Sequence, residues 1–181
     1  MKPKFIVSAL TIVVVLFAIS CSKDSGGNAV QYKAYERSYK TWLSYKGTVN
    51  NSYIYTVTSG SVFGYKSKTV LTVINGKADN RSFIAEREKQ NTTGAAPEYE
   101  VYEQWNESSA SIGSHHSGAN ALTIDQVYDK YRTEWLKVSS KDNDVFFEAK
   151  NDGLITMCGY VPKGCMDDCF VGIRISEIKP L

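Results

Sequence analysis

The sequence predicts an α+β fold: an antiparallel sheet with two amphipathic helices packed on one face. Three observations carry this expectation. Tyr32, Tyr35, Tyr39, Trp42 and Leu43 recur at helical spacing, and so do Ile124, Val127, Tyr128, Tyr131 and Trp135. Between and after these stripes lie short runs rich in Tyr, Thr, Val and Ile that alternate with period two. Asn75-Gly76 separates two of the runs and marks a tight hairpin, because a type I′ turn requires positive φ at both positions. Two helices with matching stripes laid on one face of a sheet is the simplest packing that buries both.

The chain begins with a segment that is not part of the fold. Lys2 and Lys4 form a basic tip, Phe5 to Ile19 is almost wholly apolar, and small residues precede Cys21. This is the pattern of an export signal over residues 1–20. The apolar run is shorter than the ~20 residues a bilayer span requires. Cys21 at the cut, followed by Ser22-Lys23-Asp24-Ser25-Gly26-Gly27-Asn28, resembles a bacterial lipoprotein box, with Ala18 where leucine is usual. The resemblance implies that the Cys21 thiol carries lipid and becomes the mature N-terminus. The rival is ordinary secretion with Cys21 as a bystander. Residues 21–28 then read as a flexible tether, and residues 29–181 as a single α+β domain.

Residues 29–46 form the first helix, with Gly47 as its stop. Its aromatic stripe suits docking on a sheet better than it suits a ligand platform. Tyr53 to Thr58 is a strand, continued through Val62, Phe63 and Tyr65 after a bend at Gly60. Val70 to Ile74 and Ser82 to Ala85 flank the Asn75-Gly76 turn. Glu86 to Pro97 reads as a hairpin loop, and Glu98 to Trp105 as the next strand. Ser108 to Asn120 has no period and reads as a long exposed loop, of the kind that is either mobile or functional. Thr123-Ile124-Asp125-Gln126 is a capping-box pattern that opens the second helix. Val145 to Ala149, Leu154 to Met157 and Phe170 to Ile178 are the closing strands, with a turn at Asn151-Asp152-Gly153. The order helix, strands, helix, strands also fits a degenerate helix–strands repeat.

Composition narrows the functional classes. The formal charge of +2 falls to near zero once Lys2 and Lys4 leave with the signal. No stretch is a basic block, which argues against a nucleic-acid partner. Neither a nucleophile elbow, an H-E-x-x-H pair, a P-loop nor a G-x-G-x-x-G turn is present. Four N-x-Ser/Thr sequons, at Asn50, Asn80, Asn91 and Asn106, carry no meaning beside a bacterial lipoprotein box.

Trp42 before Tyr53-Ile54-Tyr55-Thr56-Val57, the Val73-Ile74-Asn75-Gly76 hairpin and Thr123-Ile124-Asp125 together resemble a family of small secreted and lipoprotein domains of unknown function. The likeness spans most of the mature chain. Asp152-Gly153-Leu154-Ile155 stands where that family carries a Gly-aromatic-Pro pattern, and the cysteine-containing loop is extra. The resemblance implies fold and location, and brings no catalytic residue with it.

The remaining candidates for chemistry are few. Cys158, Cys165 and Cys169 cannot all pair within one chain, and outside the cytosol thiols tend to pair. Loop closure contributes about 2–3 kcal/mol to any of the three pairings and does not choose among them. Strand parity places Ile155 and Met157 inward, which turns Cys158 outward; it favours a Cys158–Cys165 disulfide with Cys169 as a buried free thiol. The sharper alternative is a metal-binding or thiol-redox module of three thiolates with Asp167 or Asp168, although the paired close spacings of zinc sites are missing. Asp167-Asp168 suits turn-making before a strand. His115 and His116 read as solvated loop residues, and Ser114 and Ser117 beside them have no visible support for a triad. Glu98, Glu100 and Glu103 suit a solvated edge. The expectation is a lipid-anchored, non-enzymatic protein of the bacterial outer membrane. It has no cofactor or metal, and it binds a protein or glycan partner through a sheet edge or the 108–120 loop.

Overall fold

The computed structural model describes residues 28–90 and 96–181. The residues read as an export signal, Cys21 and the residues read as a tether up to 27 lie outside the described residues. Among the described residues no helix is long and apolar enough to cross a membrane.

The first helix, α1, spans Ala29–Thr48. It is followed by β1 (Tyr53–Gly60), β2 (Tyr65–Ile74), β3 (Lys77–Glu88) and β4 (Tyr99–Ser108). The second helix, α2, spans Ile124–Thr133 and runs into a 3-10 turn at Trp135–Lys137. The chain closes with β5 (Asn143–Glu148), β6 (Met157–Pro162) and β7 (Val171–Pro180). The strands form one antiparallel seven-stranded sheet in the order β4-β3-β2-β1-β7-β6-β5. An α+β fold is therefore what the chain adopts.

The hairpin at Asn75-Gly76 has the expected geometry, with φ of 50° and 75° at its two central residues. Strands β2 and β3 extend well beyond their apolar runs. Lys66 and Lys68 alternate with Ser67 and Thr69, so β2 begins at Tyr65, and β1 reaches it through a tight turn at residues 61–64. Val62 and Phe63 sit in that turn and do not continue a strand. Polar outward positions obey the same period of two as apolar inward ones, and apolar runs therefore understate strand length.

The core is aromatic. Trp42 of α1 is fully buried and meets Tyr53 edge-on, with ring centroids 4.9 Å apart. Tyr35 packs on Tyr131 of α2 at 5.8 Å and on Phe147 of β5 at 6.0 Å. Tyr39 meets Tyr128 at 5.2 Å. Residues of both helices and of β1, β2, β5, β6 and β7 belong to this one cluster. The stripe on α1 is thus a packing face, with only Tyr32 and Leu43 partly exposed at its margins.

Helix α2 starts as its sequence dictates. Gln126 N–H donates to Thr123 Oγ1 at 3.3 Å, and Thr123 N–H donates to Gln126 Oε1 at 2.8 Å. Trp135 falls in the 3-10 turn, one step beyond the α-helix, and is still buried. Thr123→Ala is expected to cost about 1 kcal/mol of stability in urea denaturation. An unchanged midpoint would show that tertiary contacts alone fix the start of this helix.

Candidate functional site

The site lies where the sheet parts. The ladder between β1 and β7 runs from Tyr53↔Pro180 to Val57↔Ile175 and stops. Beyond that point β1 continues to pair with β2 as far as Gly60↔Lys66, and β7 continues to pair with β6 as far as Tyr160↔Val171. The two strands therefore diverge and leave a cleft of about 400 Å³. Val57, Thr58 and Ser59 line one wall together with Ser67 and Thr69 of β2. Phe170 and Gly172 to Arg174 line the other. Gly118 to Asn120, Leu122, Lys130 and Trp135 complete it. Two cationic side chains and no carboxylate face this space. Arg174 lies over the Phe170 ring at 4.0 Å, and Lys130 holds Glu134 at 2.8 Å on the helix surface.

One wall is the 109–122 loop, and the sheet fixes it at many points. Arg81 of β3 and Glu107 of β4 are opposite each other in register and both fully inside. Arg81 donates Nε–H to one Glu107 oxygen at 2.9 Å and a terminal N–H to the other at 2.8 Å. Its remaining donors hold the carbonyls of Ala119 at 2.9 Å and His115 at 2.8 Å. Glu107 also accepts from Gly113 N–H at 2.9 Å, His115 N–H at 2.7 Å and Ser114 Oγ at 3.1 Å. The His115 ring lies parallel to Trp105 at 4.4 Å, with Nδ1 3.0 Å from the carboxylate. An ionised carboxylate only accepts, so this nitrogen carries the hydrogen. The hydrogen bonds from Arg81 hold the Glu107 carboxyl well below the usual carboxylate range; burial opposes this, and the His115 and Gly113 amides add to it.

The rest of the loop is held in the same way. Thr69 Oγ1 accepts from Ala119 N–H at 3.0 Å. Trp105 Nε1–H donates to Ser117 Oγ at 2.9 Å, and Ser117 in turn bonds Glu103. The Tyr55 hydroxyl donates to the Leu122 carbonyl, and the Tyr53 hydroxyl accepts from Ile124 N–H at 2.9 Å. Burial raises the pKa of both tyrosines well above the usual phenol value, so both stay neutral. Gly118 takes φ of 77°, and a Cβ there would stand 2.7 Å from the Phe83 ring. Only glycine lets the loop lie this close to β3.

The segment at 108–120 is thus a built wall, which corrects the reading of Ser114 and Ser117 as unsupported; the His115 ring is exposed as read, yet is held by Glu107 and Trp105. His116 is exposed as expected. Ser114, His115 and Glu107 do not make a catalytic triad. Ser114 Oγ at 3.3 Å and the carboxylate both face Nδ1, whereas a relay needs the hydroxyl on one ring nitrogen and the acid on the other. Glu98 pairs with Lys89 and Glu100 with Arg87 at the surface.

The cysteines are arranged differently from the expectation. Cys165 and Cys169 are joined, and Cys158 is the free thiol. Cys158–Cys165 pairing fails because Cys158 points into the core, opposite Phe147 on one side and Ile173 on the other. The parity argument assumed one continuous strand from Leu154. Strand β6 begins only at Met157, and the intervening residues shift the alternation. Burial pushes the Cys158 thiol well above its ordinary pKa, which keeps it a protonated, unreactive group. Three thiolates therefore do not converge, and Asp167 and Asp168 stay in the exposed loop. Among the described residues no three His, Cys, Asp or Glu side chains come together as a metal site.

Arg81, Glu107, Lys130, Phe170 and Arg174 are the residues that sequence reasoning passed over. The first two sit at inward positions of alternating strands, and a charge at such a position on each of two neighbouring strands was the available signal. Comparison of the chain with protein-family models, with curated proteins and with solved structures finds no match.

Proposed function

We propose that the protein is a lipid-anchored component of a bacterial outer membrane, held through Cys21, whose non-enzymatic domain binds a protein or glycan partner. The cleft between the diverging ends of β1 and β7 carries this reading. It is concave, walled on one side by a rigid loop, and lined by hydroxyls, an exposed arginine on an aromatic ring and no acidic group. Such a surface recognises without chemistry: Ser59, Ser67 and Arg174 offer donors, and none has a neighbouring base. The likeness to secreted domains of unknown function, the two helices on one face of the sheet and the degenerate duplication belong to the same reading. The contacts of Trp42 with Tyr53 and of Tyr35 with Tyr131 and Phe147 support the helix placement.

The test is recovery of a partner from native membranes with the anchored protein as bait. Wild type is expected to retain a partner that Ser59→Trp/Arg174→Glu loses by about tenfold or more, an affinity change of ~1.4 kcal/mol. Both positions are exposed, so the fold should survive. Equal recovery by both baits would remove the cleft from the account, and turnover of a substrate by the purified domain would end the non-enzymatic reading. Cys21→Ala should move the protein to the soluble fraction; a variant still in membranes would refute the anchor.

A further inference from the structure

One end of the sheet carries large apolar side chains on the tips of its connections. Val62 and Phe63 in the β1–β2 turn are 76% and 70% exposed, and Met166 in the β6–β7 loop is 91% exposed. These connections lie at the same end, because β2, β1, β7 and β6 are consecutive antiparallel neighbours. Tyr65 and Tyr102 meet edge-on at 6.0 Å just behind the first turn, each about half exposed. The opposite end carries the polar Asn75-Gly76 turn, with Ile74 and Leu181 exposed beside it.

The chain also comes into the domain at the apolar end. The far end of α1 leads to Asn51, whose carbonyl accepts from Gly76 N–H at 2.8 Å, so that end lies with the polar turn. At the start of α1, Asn28 donates to the Leu136 carbonyl at 3.0 Å. Trp135, the residue before, lines the cleft beside Ser59 and Phe170, towards the apolar tips. From Cys21 to Asn28 the chain reaches at most ~25 Å when fully extended.

We infer that this end is a membrane-contacting surface. Val62, Phe63 and Met166 enter the interfacial layer of the bilayer that holds the anchor. The inference rests on the lipid-anchored reading for its orientation. Two observations favour a lipid surface over a protein partner. The apolar groups are few and sit on two separate connections, Val62 and Phe63 on one and Met166 on the other, where a protein interface would present a continuous patch. The tyrosines behind them are of the type that sits at headgroup level. Lys66 and Lys163 nearby are ion-paired, with Glu86 at 3.4 Å and Asp144 at 3.8 Å, so charge adds little to the contact. Asp167 and Asp168 directly after Met166 limit the depth, so the insertion is shallow. A short tether raises the local concentration of this surface at the bilayer and lets a weak contact orient the cleft.

The test uses the mature chain from residue 21 with Cys21→Ser, so that no lipid contributes, and vesicles of phosphatidylethanolamine and phosphatidylglycerol. Co-sedimentation should be weak but measurable. It should fall about tenfold or more in Val62→Ser/Phe63→Ser and also drop in Met166→Ser, with Ile74→Ser at the other end unchanged. A Val62→Trp probe should be quenched by brominated lipid. No binding by the unsubstituted chain, equal binding by all variants, or tip-dependent self-association in place of vesicle binding would each overturn the inference. Mass measurement of the native Cys21 terminus decides the anchor separately, so failure of one reading is distinguishable from failure of the other.

Discussion

Arg81→Met is expected to destabilise the domain by about 3–5 kcal/mol, because it leaves the Glu107 carboxylate buried without its cationic partner. The reverse comparison is the informative one. Arg81→Met/Glu107→Leu removes both charges and should be more stable than the single variant, since no uncompensated charge remains. It should not regain wild-type behaviour, because Gly113 and His115 amides then lose their common acceptor. Amide exchange across residues 113–119 should therefore be fast in both variants while exchange in β1 and β2 changes little in the double. A double variant less stable than the single would refute this division. The sign of the pH dependence follows from the depressed Glu107 pKa. The pair contributes its stability above the ordinary glutamate value of ~4.3 and loses it as pH falls towards the folded value. The acid limb of wild-type stability should be shallower in the double variant.

Trp42→Ala is expected to cost a similar amount, about 3–5 kcal/mol, through a different mechanism. The indole is fully buried between α1 and the sheet, and its loss leaves a cavity bordered by Tyr53, Tyr45 and Tyr128. Its Nε1–H also donates to Asp125 Oδ1 at 3.1 Å, an oxygen that Lys46 reaches at 2.7 Å. A hydrogen bond of this kind contributes about 1 kcal/mol, so packing dominates. Trp42→Phe separates the two, and should recover most of the loss in urea denaturation. A Phe variant as unstable as the Ala variant would assign the effect to the polar contact.

Periodicity revealed the elements wherever burial followed a single rule. The Asn-Gly hairpin and the Thr123–Gln126 box are local patterns that form as read, while the aromatic stripes are helical with shifted ends: α1 runs past Gly47 to Thr48, and Trp135 falls in the 3-10 turn after α2. The site was legible only in part. The 108–120 loop and the cysteine loop stood out as irregular, but what fixes the first is a buried ion pair between two residues 26 positions apart. No local pattern announces which two inward charges will meet. The cleft was less visible still, because it arises where a ladder between β1 and β7 stops, and that pairing joins strands from opposite ends of the domain. Cys158 shows the limit of parity: a break of a few residues before β6 reverses which side chain points inward.

The central position of the last strand has a consequence for biogenesis. Strand β7 is the last of the seven strands in chain order and the keystone that joins β1 to β6. Until it arrives, β1 has a neighbour on one side only, and the β5–β6 hairpin has no sheet to join. The domain therefore cannot complete its hydrogen-bonded sheet until the last of its seven strands is free to pair. Long-range pairing of this kind slows folding, so the two halves of the sheet stay separate until this strand docks.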